Sequence, residues 1–308
     1  MAYDLSGPLV IGISSRALFD LEKENRIFET EGLEAYSNYQ LAHEKEPLPK
    51  GAAFQLTQAF LRLNDLIPDK RLVEVIIMSR NSPDTSLRIF NSVAAYGLDI
   101  TRAALVGGAE VTPYLKAFKA DLFLSAYGPD VREAIDAGLA AGQILTDSAR
   151  SDGGADDGRI NIAFDGDAVL FSAESERIFQ SSGIEAFQAH ERAEADVPMN
   201  EGPFAHFLKL LSNLQAMFPQ SAAPIRTALV TSRGAPAHER AIKTLRNWNV
   251  RVDEAFFLAG AGKRDVLKAF GAHIFFDDQR VHTDPASEVV PSALVPYRMG
   301  DDPREGRV

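Results

Sequence analysis

Cysteine is absent from the 308-residue chain. That excludes a disulfide framework, a thiolate nucleophile and a Cys-ligated zinc, and it fits a reducing compartment. Basic side chains are in deficit: 32 Lys and Arg face 43 Asp and Glu, a formal net charge of −11. Nonspecific duplex binding rests on counterion release by a basic surface, so a nucleic-acid polymer is not an expected partner. An anionic small molecule would have to be met by a local device. Long apolar runs are also missing. None approaches the roughly 20 residues that span a bilayer. The first twenty residues carry an apolar run only from Leu9 to Ile13, with no basic segment before it, so neither a membrane nor secretion is signalled. The expectation is a soluble, cytoplasmic protein.

The composition that remains is average for a globular chain, 45% hydrophobic and 24% charged, and long enough for two domains or one large one. Strand-like runs occur at Leu9–Ile13, Leu72–Met78, Ala103–Val106, Asp121–Leu124, Arg159–Phe164, Arg226–Thr231, Ala255–Leu258 and His273–Phe276. Helical patterns lie between them, among them Ala17–His43, Phe54–Asp65, Ser86–Tyr96, Ser172–Ala195, Phe204–Phe218 and His238–Trp248. This alternation predicts an α/β fold of parallel sheets, with ligands beyond the carboxyl ends of the strands.

The stretch 147–158 is rich in Ser, Gly and Asp and reads as a linker between a first half, 1–146, and a second, 159–308; a long surface loop is the alternative. The halves resemble each other. A shift of 151 residues lays Arg26-Ile27-Phe28 on Arg177-Ile178-Phe179, Gly32-Leu33-Glu34-Ala35-Tyr36 on Gly183-Ile184-Glu185-Ala186-Phe187, Pro47 on Pro198 and Gly51 on Gly202. Between Ile13 and Tyr36 seven of 24 positions are identical. The prediction is two tandem Rossmann-like units from an internal duplication.

The halves differ at their strand ends. Asp165-Gly166-Asp167 stands against Ser14-Ser15-Arg16, Thr231 against Met78, Lys263 against Val111, and Asp277-Asp278 against Ser125-Ala126. Polar groups kept in one copy and lost from the other suggest one active site and one degenerate partner. If the second-half strand ends converge, Asp165, Asp167, Asp277 and Asp278 make an oxygen-rich cluster suited to Mg²⁺. A bound cation would invert a field that otherwise repels phosphate. Lys263 adds positive charge and the Thr231 hydroxyl can donate to phosphoryl oxygens. Such a set suits phosphoryl transfer, one Asp attacking phosphorus while the other protonates the leaving oxygen and then activates water.

These residues lie in Phe164–Phe171 (FDGDAVLF), Leu229–Arg233 (LVTSR), at Lys263 and in Ile274–Gln279 (IFFDDQ), which resemble the four motifs of the haloacid dehalogenase superfamily in order. With Ser14–Tyr36, Lys243–Asn249 and Phe257–Gly260, nearly the whole chain is similar to the cytosolic 5′-nucleotidase type I family. The resemblance implies two haloacid dehalogenase-like units and a Mg²⁺-dependent hydrolase of nucleoside 5′-monophosphates, AMP prominently. By motif, it implies Asp165 as nucleophile, Asp167 as general acid/base, Thr231 and Lys263 as phosphate-holding groups, and Asp165, the Asp167 carbonyl, Asp277 and Asp278 as metal ligands.

Ser232 and Arg233 are candidates for substrate binding, with a helix-capping serine and a surface arginine as the equal alternative. The segment from Ser172 to Pro224 is expected to be mostly two helices, short for an independent cap. The degenerate first half is therefore expected to cover the site, with Ser14 and Arg16 binding nucleoside or a nucleotide effector. Arg16 stands in the place of an acid and offers a fork of donors to phosphate; pairing with a structural carboxylate is the other reading. A phosphatase for another phosphomonoester and a non-catalytic nucleotide-binding regulator remain as rival functions, and a homo-oligomer is left open.

Overall fold

Among the described residues ten short strands, most of them buried on both faces, form one sheet with helices around it, the pattern expected when neither face meets water. In the computed structural model, which describes residues 4–149 and 158–300, they are β1 Leu9–Ile13, β2 Val73–Ser79, β3 Arg102–Leu105, β4 Leu122–Ser125, β5 Ala140–Ile144, β6 Ile160–Phe164, β7 Ile225–Thr231, β8 Glu254–Phe257, β9 Ile274–Asp277 and β10 Ser292–Leu294. All eight strand-like runs of the sequence appear, shifted by at most one residue; β5 and β10 were not anticipated.

The sheet order is β3-β2-β1-β4-β5-β10-β9-β6-β7-β8. Read outward from the middle, each half lays down its strands in the same succession. Every neighbouring pair is parallel except β5 and β10, which meet antiparallel through Ala293 opposite Ile144 and Leu294 opposite Gln143. The main apolar core runs through both halves, taking in Ile11 and Phe123 from the first and Phe164 and Phe276 from the second, and a smaller cluster around Val230, Leu267 and Phe275 lies in the second half.

The antiparallel seam reverses strand direction at the middle of the sheet. The carboxyl ends of β1–β4 therefore lie along one edge and those of β6–β9 along the opposite edge, about 16 Å away across a five-residue strand. Ser14 and Arg16, which follow β1, are thus carried away from Asp165, which follows β6. The expected convergence of first-half strand ends onto the second-half site does not occur.

The helical reading of Ala17–His43 is also corrected. A short helix Ser15–Leu18 ends where Phe19 bridges to Lys50, and a second, Glu22–Ala42, begins after it. Gly51 permits that bridge, since an added Cβ would stand 2.8 Å from the Ala17 carbonyl oxygen. The second half repeats the device with Phe171 bridging to Glu201 beside Gly202. Phe171 therefore matches Phe19, and the extra residue of the second half lies in the π-type turn Gly166–Leu170, where Ala168 takes φ 61°. Ser172 to Pro224 holds two longer helices, Glu174–Ala193 and Ala205–Gln215, as expected, with one short 3-10 turn near its end.

Of the linker 147–158, residues 150–157 lie outside the described residues. Its first residues are tied to the second half: Ser292 N donates to Ser148 Oγ and Ala149 N to the Ser287 carbonyl.

Candidate active site

β6, β7 and β9 are adjacent in the sheet; β7 and β9 end in Thr231 and Asp277, and Asp165 directly follows β6, each carried into the interior by the apolar run before it. Asp165, Thr231, Asp277 and Asp278 are all buried, and so is Lys263 at the start of helix Arg264–Phe270. The Lys263 ammonium donates to Asp165 Oδ1 at 2.7 Å and to Asp277 Oδ2 at 2.6 Å. Asp277 Oδ1 accepts from the Gln279 amide at 2.9 Å, and Asp278 Oδ2 accepts from the Tyr297 hydroxyl. The other oxygen of Asp278 is buried without a hydrogen-bond partner. Gly166 keeps the turn close to Thr231, for an added Cβ would stand 3.2 Å from Thr231 Oγ1.

Three carboxylates and one ammonium leave the cluster electrically unbalanced. Burial pushes the Asp165 carboxyl up to about 6; Lys263 opposes this and Asp277 adds to it. Burial raises Asp277 as well, and it raises Asp278 well above the usual range, with Asp277 and Asp165 contributing. Burial works against the Lys263 ammonium, but Asp165 and Asp277 outweigh it and its pKa stands above the ordinary lysine value. Asp165, Asp277 and Asp278 each offer an oxygen within 4.8 Å of the others. The unpartnered Asp278 oxygen and the excess of negative charge fit a hard divalent cation.

Asp167 stands apart from that trio. Its carboxylate accepts two bonds from Arg233, Nε to Oδ2 at 2.8 Å and Nη2 to Oδ1 at 2.7 Å. Arg233 is no surface residue: its side chain is 1% exposed, and its Nη1 donates to buried Glu191 at 2.5 Å. Ser232 is exposed in the turn after β7 and caps no helix, because helix His238–Asn247 begins further on, after Ala237.

Arg16 forms a two-pronged pair with Glu22, both bonds at 3.0 Å, and donates to Asn25 at 3.1 Å. Ser14 caps the helix Ser15–Leu18 through a bond from the Ala17 amide. Both are thus occupied by local structure at the far edge of the sheet.

The strand registers correct one equivalence. β2 and β7 both run seven residues, and Ser79, not Met78, matches Thr231. The hydroxyl does the same local work in both: the Asn81 amide donates to Ser79 Oγ as the Arg233 amide donates to Thr231 Oγ1. Likewise Ser125 Oγ accepts from Tyr127 N where Asp277 Oδ1 accepts from Gln279 N. At these two turns the first half keeps the geometry and lacks the Asp277 charge.

Three contributors were missed in the sequence. Tyr297 reaches Asp278 from beyond β10, and its carbonyl accepts from Arg132 of the first half at 2.8 Å. Glu191 has no motif. Glu176, raised by burial, lies near enough to Asp167, Asp165 and Lys263 to feel their charges.

Among the described residues no helix is long and apolar enough to cross a membrane. A solved histidinol dehydrogenase from Elizabethkingia anophelis aligns over 97% of this chain and 82% of that one, at a TM-score of 0.23 and 8% identity, too low to bear on the fold. The chain is 40% identical over 295 residues to human cytosolic 5′-nucleotidase 1B, covering 91% of this chain and 47% of that protein, so it spans about half the length of the curated relative it matches. The family model described as 5′-nucleotidase matches residues 1–302. The buried strand-end carboxylates therefore sit in a chain that belongs to the 5′-nucleotidase family.

Proposed function

We propose that the chain is a Mg²⁺-dependent 5′-nucleotidase that hydrolyses nucleoside 5′-monophosphates, AMP among them, to nucleoside and phosphate. The observation that carries this reading is the buried quartet Asp165, Lys263, Asp277 and Asp278, gathered at adjacent strand ends with Thr231 beside it and one Asp278 oxygen left unpartnered. The human relative's name is that of a cytosolic 5′-nucleotidase, which agrees with it.

Asp165 attacks phosphorus and the bond to O5′ breaks, leaving an aspartyl-phosphate; Asp167, entering this step as the carboxylic acid with its proton on a lone pair outside the Arg233 fork, gives that proton to the departing O5′. Asp167 then takes a proton from water as that water attacks the phosphorus, and Asp165 is released with inorganic phosphate. Lys263 holds the Asp165 carboxylate in place and offers positive charge to the phosphoryl oxygens, while the Thr231 hydroxyl donates to them. Asp165, Asp277, Asp278 and the Asp167 carbonyl would hold Mg²⁺, which supplies positive charge that draws phosphate into an acidic pocket and offsets charge developing on it.

The halves are read as copies of one unit, the first having lost its chemistry. Shared strand order supports this, and so does a reversed ion pair: Glu74 on β2 meets Arg102 on β3, where Arg226 on β7 meets Glu254 on β8.

The test is phosphate release from a panel of nucleoside monophosphates with Mg²⁺, with EDTA and in Asp165→Asn. Release that needs Mg²⁺ and Asp165 is expected. A parent chain that binds nucleotide tightly and releases no phosphate would make it a regulator instead.

A further inference from the structure

We infer that Arg233, fixed by Glu191, is a positioning residue for Asp167; the inference rests on the acid/base role proposed above. Arg233 has no face left for substrate. Two edges of its guanidinium are engaged by Asp167 and Glu191, Met199 Sδ lies 3.2 Å from Nη2, and the rings of Phe171 and Phe187 lie 5.9 and 5.4 Å from its central carbon. Glu191 is held in turn by Arg240 at 3.0 Å and Ser175 at 2.8 Å. A planar fork that takes both carboxylate oxygens sets the plane of Asp167, and a fork anchored on its other side cannot drift. Asp167 needs such support, since its turn contains the extra residue and the positive φ of Ala168.

The first half separates this role from a role in folding. By the 151-residue shift Asp167 corresponds to Arg16 and Glu191 to Gln40, and by the matched ends of β2 and β7 Arg233 corresponds to Asn81. The half without the acid also lacks the fork and the fork's anchor. It keeps the arginine that ties the backbone: Arg88 donates to the Glu46 carbonyl as Arg240 donates to that of Val197, both through Nε. Ser92 and Thr244 then accept from the amides of Leu48 and Met199 in the same way. The first half stands without an Arg233–Glu191 pair, the counter-ion of Arg88 being supplied there by Glu24 from the place of Ser175, with Gln40 accepting beside it. A buried charge network is weak evidence for stability in any case.

The experiment compares two substrates that share every recognition group: adenosine 5′-monophosphate, and its analogue with sulfur in place of the bridging O5′. The alkoxide of the first needs a proton to leave; the thiolate of the second does not. In Arg233→Lys and Glu191→Gln, first-turnover release of adenosine should slow about a hundredfold, in the range of a lost general acid, while release of the thionucleoside and both Michaelis constants change little. Glu191→Gln covers the case in which Arg233→Lys does not fold, because Gln40 already stands at the matching place. Glu24→Gln, which disturbs the likewise buried Glu24–Arg88 pair of the first half, should slow neither. Equal slowing of both substrates, or a raised Michaelis constant at an unchanged first-turnover rate, would overturn the inference alone. A parent chain that hydrolyses neither ester would overturn the functional reading and this inference with it.

Discussion

Gly32 and Gly183 hold the same backbone conformation, φ 87° with ψ −178° and φ 79° with ψ −177°, each near the middle of a long helical segment. Nothing lies within 4 Å of a Cβ added at either one. The obstacle to a side chain is therefore the backbone region itself, which glycine alone enters without strain.

Gly183→Ala should lower stability by about 1–3 kcal/mol, and Gly32→Ala by a similar amount. Urea unfolding followed by circular dichroism checks both. An unchanged midpoint would mean that the break straightens into continuous helix at no cost.

Lys263→Met removes the cation between Asp165 and Asp277. Breaking a buried ion pair in this way costs about 3–5 kcal/mol, so metal-free protein should unfold at markedly lower denaturant, and Mg²⁺ should restore part of the loss. Phosphate release should fall by at least about a hundredfold. Unfolding curves with and without Mg²⁺, run beside the activity assay, separate the two effects.

Metal binding should follow pH. The Asp165 carboxyl is raised to about 6 by burial, so below that pH a cation has to displace a proton, and Mg²⁺ affinity should fall by up to about tenfold per pH unit. For metal-free protein the sign is that of an acid whose pKa is raised, since burial of Asp165 outweighs its pair with Lys263. Between about pH 4 and 6 the folded chain holds a proton on Asp165 that the unfolded chain has released, so stability falls as pH rises through that window, Asp165 contributing at most about 1.4 kcal/mol per unit and the raised Asp277 and Asp278 acting in the same direction. Calorimetric titration and thermal unfolding at several pH values measure both slopes.

Arg16→Ala should leave the Michaelis constant for nucleotide unchanged and cost no more than about 1 kcal/mol, because its pair with Glu22 is partly exposed and stands at the edge away from Asp165. A raised Michaelis constant would place Arg16 at the substrate after all.

Asp165, Thr231, Asp277 and Asp278 were legible because each ends or directly follows an apolar run, whereas Lys263 follows Gly260-Ala261-Gly262 and stood out only through the comparison of the halves and the family resemblance. Arg233 was visible as a residue but not as the partner of Asp167, 66 positions away, since that pairing depends on β6 and β7 being neighbours. Tyr297 belongs to no pattern and reaches Asp278 only through the course of the chain after β10. Strands β5 and β10 escaped notice for a packing reason. A Cβ on Gly142 would stand 3.0 Å from both Phe276 and Ala293, so the middle of the sheet demands small residues and leaves no apolar run to read. The break at Phe19 was hidden as well, since the bridge to Lys50 requires a partner 31 residues on.

The antiparallel meeting of β5 and β10 makes the two sets of strand ends back-to-back rather than face-to-face. A molecule lodged beside Ser14 and Ser79 could never touch a substrate at Asp165. Any influence it had would be transmitted through the shared sheet or through the brace from Arg132 to Tyr297 and on to Asp278, and would be felt as a change in how firmly that carboxylate is held. Communication between the halves would then be allosteric in the strict sense, two separate sites coupled through structure, and equal in both directions for binding.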